Sequence, residues 1–502
     1  MNIKKYLVGF ASFLLLSSFA SCSNDDNKGG VNNNVPLKGV NSEETTGIKV
    51  SANAPTASFS IFTPSTPTVT SSESWVSASA TEPSKMNNIS LITLTLEPNP
   101  TTEDRTANIL ISASGSSITV GVTQLAGEAP EPEPEIPSEE VQPLLGLKAM
   151  DIAKDMFAAL NIGNTLEATG GETSWGNPKI NEAYVAGIKE AGFNTVRIPC
   201  GWDRYIVDRT TNKIDPAWLD RVNEVVNMVV SQDMYAIVNI HWDGGWLENN
   251  IGTASKPELI EKQKTLWTQI ANRLGHYNER LMFAGLNEPN ADNAAATAAL
   301  LEYEQAFIDA VRATGGNNAS RTLVFQGPNT DIENTNKYYT TMPKDPSGEG
   351  YLMAEVHYYT PYQFCLMEKD ESWGKVAWFW GKDFHVEGSD RNSTWGEEDY
   401  MKELFNLMKV QFVDKGYPVV LGEYGAYPNE HLVSLQTEAD KEQIKKSREY
   451  FYTCVQKFGK ERGLIPFVWD TGEILNRNNG AVKNQDLLDA IMAGAKDATY
   501  PF

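Results

Sequence analysis

Eight short apolar runs, each with a polar residue at or near its C-terminal end, constrain this chain more than any other feature. They are ALNIGN from Ala159, FNTVRIP from Phe193, MYAIVNIH from Met234, LMFAGLNE from Leu281, RTLVFQG from Arg321, YLMAEVHYY from Tyr351, YPVVLGEYG from Tyr417 and LIPFVWD from Leu464. Runs this apolar, rich in β-branched residues, read as strands buried on both faces, the pattern of a parallel sheet. Most are separated by amphipathic helical stretches such as EAYVAGIKEAG, PAWLDRVNEVVNMVVSQD and KEQIKKSREYFYTCVQKFG. Repeated strand–helix units over residues 146–502 predict an α/β domain, a (β/α)8 TIM barrel. A doubly wound open sheet is the alternative. It more often carries a phosphate-binding glycine loop after its first strand, and NIGNTLEATGG is not one.

The polar endings carry the chemistry, because a parallel barrel brings the C-terminal ends of all its strands to one face, where barrel active sites lie. Asn164 ends the first run, Arg197 the second, His241 the third, and Asn287 with Glu288 the fourth. His357 and Tyr359 end the sixth, Glu423 the seventh, and the eighth reaches Trp469. Glu288 and Glu423 form the candidate catalytic pair. Two facing carboxylates are what cleavage of a glycosidic bond requires: one protonated, to donate to the leaving oxygen, and one ionised, to attack the sugar carbon or activate water. Arg197 is placed to hold one carboxylate ionised, and Tyr359 to donate a hydrogen bond to it. Pro289 biases Glu288 away from helical backbone angles. Gly422 and Gly425 are expected to leave room for a ligand beside Glu423. His241 and His357 admit a metal reading, but zinc would want a third ligand at a recognisable spacing such as HExxH, and none is present. There is no G-x-S-x-G nucleophile elbow either. No metal and no cofactor are expected.

The tryptophans divide by context. Trp218 and Trp267 lie within helical patterns and read as packing. Trp175, Trp202, Trp242 and Trp246 follow strands, where flat rings stack on pyranose faces; Trp246 in DGGWLENN is the expected platform. Trp373, Trp378, Trp380 and Trp395 crowd an insertion after the sixth run, which either lines the cleft or forms a small core of its own.

The N-terminal third reads differently. MNIKK, YLVGFASFLLL and SSFASC make a basic start, a short apolar core and a small-residue end, the layout of a signal peptide over residues 1–21. Ala20 and Ser21 before Cys22 resemble a bacterial lipobox, so lipidation of Cys22 and a membrane anchor are expected. Residues 22–35 are a polar tether. Residues 36–127 alternate in short β-like runs without helical periodicity and predict a small all-β, immunoglobulin-like sandwich. Residues 128–145 alternate Pro and Glu, an extended spacer. The other cysteines, Cys200, Cys365 and Cys454, are odd in number and imply no disulfide framework. With 65 acidic against 42 basic residues, the net charge is −23. Such a chain repels phosphate backbones, so no nucleic-acid partner is expected.

Taken in order on these strands, RIP, IHW, NEP, HYY, GEYG and VWD resemble glycoside hydrolase family 5 over residues 146–502. NIGNTLEA, CGWDRY, IHWDGGW and HYYTPYQF are most similar to its subfamily 4. The resemblance implies a retaining enzyme with Glu288 as acid/base and Glu423 as nucleophile. It implies Asn287 on the sugar 2-hydroxyl and Trp469 under the sugar at the cleaved bond, with Arg197, His241, His357 and Tyr359 completing the site, to which the strand-end reading adds Asn164. One departure is Cys200 after RIP, and it puts no catalytic assignment in doubt. The implied partner is a β-glucan, and the implied activity endo-acting β-1,4-glucan cleavage, with xyloglucan the leading substrate. Mixed-linkage glucan, cellulose and mannan are the alternatives. A non-catalytic glycan-capture lipoprotein is the rival, but it would have lost a catalytic glutamate, and both are present. SESWVSAS and NPTTEDRTANILISASGSSITVGVTQLAG resemble a BACON domain, with Trp75 expected in its core. CSNDDN resembles the export signal of Bacteroidetes surface lipoproteins, which implies an outer-membrane location facing outward. The barrel is expected to be monomeric.

Overall fold

Every residue of each of the eight barrel strands is buried, except the half-buried Trp469. The strands are Ala159–Ile162, Thr195–Ile198, Tyr235–Asn239, Leu281–Ala284, Leu323–Gln326, Leu352–Tyr358, Val419–Tyr424 and Leu464–Asp470, called barrel strands one to eight below. Each pairs in parallel with the next, and strand eight pairs with strand one, so the sheet closes into the barrel the sequence predicts. This computed structural model describes residues 37–40, 47–85, 87–127, 139–428 and 437–502. The expected signal peptide, Cys22 and tether lie outside the described residues. No helix among the described residues is long and apolar enough to cross a membrane.

Alternation along the strands divides the packing. Leu160, Val196, Val238, Phe283, Leu323 and Leu421 point outward and join the helices in one large core. Ala159, Ile237, Met282, Val324, Met353, Val420 and Phe467 fill the lower interior with the helix Ala149–Asp155. Two residues further along strands one, three, five and six the interior turns polar, with Asn161, Asn239, Gln326 and Glu355, and that layer holds the site. Helix Ala294–Ala313, which reaches the same region from outside, is capped by Asn293, whose side chain accepts from the Ala295 and Ala296 amides. Cys200, Cys365 and Cys454 are buried free thiols.

The chain divides into two compact units, residues 1–138 and 139–502. The first contains two four-stranded sheets. One orders Lys38–Gly39, Thr56–Phe62, Ile89–Leu96 and Val76–Ala80; the other orders Ile48–Val50, Ser116–Gln124, Arg105–Ala113 and Thr68–Ser71. Ile61, Ile92, Leu94, Ile109, Ile111 and Val120 form its core, none of them exposed. Trp75 belongs to that core, with the Arg105 guanidinium 4.3 Å from its ring centre.

The expected spacer over 128–145 is corrected at its end. Glu139 pairs with Arg273 at 3.1 Å and with His276 at 2.7 Å. Glu279 accepts from the Leu145 and Gly146 amides at 2.7 Å each. Residues 139–145 therefore lie on the barrel, because their carboxylate and amides find charged partners there rather than water.

Candidate active site

The upper interior layer is built around Arg197, whose side chain is wholly buried. Its Nη1 donates to Asn161 Oδ1 and to Glu423 Oε1, each at 3.0 Å. Its Nη2 donates to Asn287 Oδ1 at 2.7 Å and lies 2.9 Å from Glu355 Oε1. One guanidinium thus ties together side chains from barrel strands one, six and seven and the segment after strand four. Its fixed fork of donors suits that task as a lysine would not. Asn161 Nδ2 in turn donates to the Gly422 carbonyl at 2.8 Å.

Glu423 reaches this layer through a bulge. Val420 faces inward and Leu421 outward, so simple alternation would aim Glu423 at the helices. The pairing of strands six and seven shifts between Val356 and His357: Val356 is opposite Leu421 and His357 opposite Glu423. Gly422 is the extra residue, and it re-aims Glu423 inward. A Cβ on Gly422 would lie 2.1 Å from Glu355 Oε1. The room expected for a ligand at Gly422 is therefore filled by Glu355, which explains the glycine. At Gly425 the space meets the Tyr452 hydroxyl at 3.4 Å and Tyr359 at 3.8 Å, again protein rather than ligand.

The two catalytic candidates sit in contrasting settings. Glu423 is buried and accepts from Arg197 and, at 3.1 Å, from the Tyr359 hydroxyl. Glu288 has a left-handed backbone, φ 47°, and a side chain 48% exposed to the cleft. Its Oε1 lies 2.8 Å from His357 Nδ1, and His357 Nε2 lies 3.2 Å from Glu355 Oε1. One oxygen of Glu288, one of Glu423 and a ring nitrogen of His357 lie within 4.8 Å of one another.

Charge in this cluster is shared. Burial works against a charged His357, but the Glu423 charge and the bonds to Glu288 and Glu355 overcome it and push His357 up to about 9. The imidazole is therefore protonated at neutral pH. Burial pushes His241 well below the ordinary histidine range, helped by the Arg197 and His357 charges, so it is neutral. Three carboxylates then face two cations, which leaves one negative charge that one further proton neutralises. Burial raises Glu423, only partly offset by His357 and Arg197. Burial also raises Glu288, but the His357 bond and charge, with Arg197, hold it net below the usual value. Before a sugar binds, these directions put the proton on Glu423 rather than Glu288, the reverse of the expected roles. Geometry decides the roles once the cleft is filled. Glu423 alone receives two donors suited to an ionised oxygen, and Glu288 alone opens onto the cleft, where a bound sugar would strip its water and raise it.

His241 and Trp469 lie parallel, ring centres 5.6 Å apart at 16°. Gly163 allows this, since a Cβ there would come 2.7 Å from the Trp469 ring. Asn164 follows with φ 60°, its amide donating to Glu167 and its carbonyl accepting from Asn177. It is not among the groups hydrogen-bonded to Arg197. Trp246 is a correction. It packs partly buried, with its Nε1 on Asp243 at 3.1 Å and the Lys262 ammonium 4.1 Å from its ring centre, so one face is already covered. Trp202 is fully buried. Trp175 and Trp242, 47% and 45% exposed, are the open rings of those loops. In the insertion, Trp380 is buried in the barrel's large core rather than in a core of its own, Trp378 is capped by Arg391 at 4.6 Å, and Trp373 and Trp395 stay exposed.

Sequence reading missed Asn161, Asn239, Gln326 and Glu355, all at zero exposure. The signal was present as period two. Glu355 precedes His357 by two residues in YLMAEVHYY, a charge in an apolar strand on the same face as a site residue.

Glu288, His357 and Glu423 have the spacing of a metal-binding trio. The chemistry of the donors argues otherwise. Both His357 nitrogens face carboxylates, so both carry protons and neither has a lone pair for a metal. Arg197 already supplies a positive charge at Glu423.

Comparison with known proteins fits this site. The family model for cellulase (glycosyl hydrolase family 5) matches residues 160–473. The BACON model, a putative N-terminal binding domain, matches residues 65–125. A xyloglucan-specific endo-β-1,4-glucanase of Bacteroides ovatus is 34% identical, over 98% of this chain and 97% of the relative. A solved Bacteroides ovatus xyloglucanase in complex with a XXXG heptasaccharide superposes with a TM-score of 0.65 at 31% identity, covering 92% of this chain and 100% of that one. A xyloglucan-specific β-1,4-glucanase from a ruminal metagenomic library, in complex with XXLG, superposes with a TM-score of 0.65 at 39% identity, covering 71% of this chain and 98% of the other. With the barrel, the paired carboxylates just after strand four and on strand seven, and a family match across most of the second unit, the chain belongs to glycosyl hydrolase family 5.

Proposed function

We propose that this protein is an endo-acting, retaining β-1,4-glucanase that cleaves the backbone of xyloglucan. The observation that carries the reading is the separation of the two carboxylates, whose nearer oxygens lie within 4.8 Å. That leaves no room for a water between them and the sugar, as inversion needs, and matches the closer spacing of retaining enzymes. Xyloglucan is favoured because the relatives described above act on it or hold its oligosaccharides.

In the first step Glu288 gives its proton to the glycosidic oxygen while Glu423 Oε2 or Oε1 attacks the anomeric carbon. The C–O bond to the leaving chain breaks and an ester to Glu423 forms. Arg197 and Tyr359 hold the attacking carboxylate in place. In the second step Glu288, now ionised, takes a proton from water as the water oxygen attacks the same carbon, and Glu423 is released. Asn287, whose oxygen is committed to Arg197, has its NH2 to offer the sugar 2-hydroxyl. Trp469 floors the sugar being cleaved. The exposed Trp175, Trp242 and Trp373, on loops after strands one, three and six, give further sugars a surface, which suits cutting within a chain.

The anchor and site of action belong to the same reading: lipid on Cys22, the outer membrane, a cleft turned outward and a barrel acting as a monomer. Radiolabelled palmitate on the wild type, but not on Cys22→Ala, is the expected result.

The test of function is reducing-end release from xyloglucan, barley mixed-linkage glucan, carboxymethylcellulose, glucomannan and xylan, with product anomers followed by NMR. Rapid release from xyloglucan with the β-anomer formed first is expected. Preference for an unbranched polymer would move the substrate and keep the mechanism. The α-anomer formed first would end the retaining reading.

A further inference from the structure

Barrel strands four and five stop pairing early, and a buried glutamate is the reason. Their register runs to Ala284 opposite Val324, and the Gly285 amide still donates to the Val324 carbonyl. In a regular parallel ladder the Gln326 amide would then donate to the Gly285 carbonyl. It donates instead to Glu304 Oε1, at 2.7 Å. The Gly285 carbonyl accepts from Gln263 Nε2 at 3.0 Å and Trp267 Nε1 at 3.1 Å. Glu304 comes from helix Ala294–Ala313 with no exposure at all. Its Oε2 lies 2.5 Å from where a Cβ on Gly285 would be, so any other residue there would collide with it.

Just beyond this break the chain carries Asn287 and Glu288 out of strand register, with Glu288 in the left-handed region. A glutamate at φ 47° costs about 1–3 kcal/mol and needs support from its surroundings. The support is Gln326. Its side-chain Oε1 accepts from the Glu288 amide at 3.2 Å. Gln326 is therefore gripped by Glu304 at its backbone and itself grips Glu288.

We infer that Glu304 and Gln326 are positioning residues for Glu288: the Glu304 side chain parts strands four and five, and the Gln326 carboxamide fixes the released segment so that the Glu288 carboxyl faces the leaving oxygen. The inference rests on Glu288 being the acid/base. Burial pushes Glu304 up to about 8, so at neutral pH it is a neutral carboxylic acid and glutamine is its close mimic. The bland alternative is a buried polar pair that only fills the seam.

The experiment separates the two by leaving group. The kcat/KM values are measured on a cello-oligosaccharide, whose leaving group must be protonated, and on 2,4-dinitrophenyl β-cellobioside, whose leaving group need not be. This ratio reports only the step that forms the glycosyl-enzyme, so the later use of Glu288 as base does not enter. Gln326→Met keeps the bulk and removes the acceptor; Glu304→Leu removes the wedge's polar contact; Glu304→Gln retains it. Gln326→Met and Glu304→Leu are each expected to lose about 10- to 100-fold on the oligosaccharide and under about 3-fold on the aryl glycoside, as a misplaced acid would. Glu304→Gln is expected to stay within about 3-fold of wild type on both. Equal losses on both substrates, or no loss, would overturn the inference, and a variant that fails to fold leaves the other to decide. Glu288→Gln runs alongside. If it too shows no leaving-group dependence, the acid/base assignment itself is wrong; if it does while the positioning variants do not, only the positioning role is lost.

Discussion

Two layers of the barrel interior, two residues apart on strands one, three, five and six, do opposite work. The lower layer, with Ala159, Ile237, Val324, Met353, Val420 and Phe467, is apolar and closely packed. The upper layer, with Asn161, Arg197, Asn239, Gln326 and Glu355, is just as buried and almost wholly polar. Burial is therefore the same, and only the chemistry of the side chains differs. In the lower layer each apolar residue adds stability by leaving water. In the upper layer each polar group must first recover its lost hydration from a neighbour, and recovery is incomplete. Arg197 Nε, Gln326 Nε2 and Glu355 Oε2 have no hydrogen-bond partner among the described residues. Stability is given up there for a set of charges already pointing where a reacting sugar needs them.

This contrast is easiest to break by exchanging its consequences. Glu423→Gln removes the nucleophile while keeping shape and hydrogen-bonding capacity. It should lower kcat on every substrate by on the order of 10^4-fold or more, with thermal unfolding little changed. Appreciable turnover would deny Glu423 its role. Phe467→Ala, in the lower layer and fully buried, should do the reverse. It should cost about 3–5 kcal/mol in denaturant unfolding, while activity per folded molecule stays close to wild type. A large loss of kcat in the folded protein would show that the layers are not separable.

Glu355→Gln sharpens the contrast within the upper layer. It takes a charge from beside Arg197 and His357 without emptying space, and misaligned donors should lower kcat by about 10^2-fold. A pH signature should accompany it. His357 is raised from 6.5 to about 9 by the carboxylates around it. The stability these contacts give is fully present below about pH 6.5 and is lost as pH rises through about 9. In Glu355→Gln one of those carboxylates is gone, so the alkaline loss of stability should be smaller and should be complete at lower pH. An unchanged profile from pH 6 to 10 would mean Glu355 does not hold the proton on His357.

How much of this was legible in the sequence follows the same division. The strands were legible because a doubly buried strand is an unbroken apolar run, and the site face because those runs end in polar residues. Arg197, Glu288, His357, Tyr359 and Glu423 emerged from that rule, and the structure joins them. Alternation alone would have turned Glu423 outward, since the bulge at Gly422 depends on Glu355 from the neighbouring strand. Glu355 and Gln326 were passed over because one polar residue inside an apolar run reveals nothing of its partners. Arg197 finds its partners on separate segments of the chain, and no local pattern records that. Glu139 read as one more solvated charge, because Arg273 lies far along the chain. Trp246 failed for a like reason: the lysine that covers it, Lys262, arrives on helix Pro257–Leu274.

The smallest expected effect comes from that corrected reading. Trp242 follows His241 directly, projects from the rim with 45% of its surface exposed, and has no cation over its ring among the described residues. If it stacks on a sugar beyond the cleaved bond, its contribution is ground-state binding, present before and during the reaction alike. Trp242→Ala should then raise KM for a long oligosaccharide by about 3- to 10-fold, the range of one aromatic stacking contact, and leave kcat unchanged. Trp246→Ala should instead destabilise the loop and affect KM and kcat together, because that ring is packed against the core and Lys262. The opposite assignment, KM alone for Trp246 and stability for Trp242, would restore the platform to Trp246 and require Lys262 to move aside when the glucan binds.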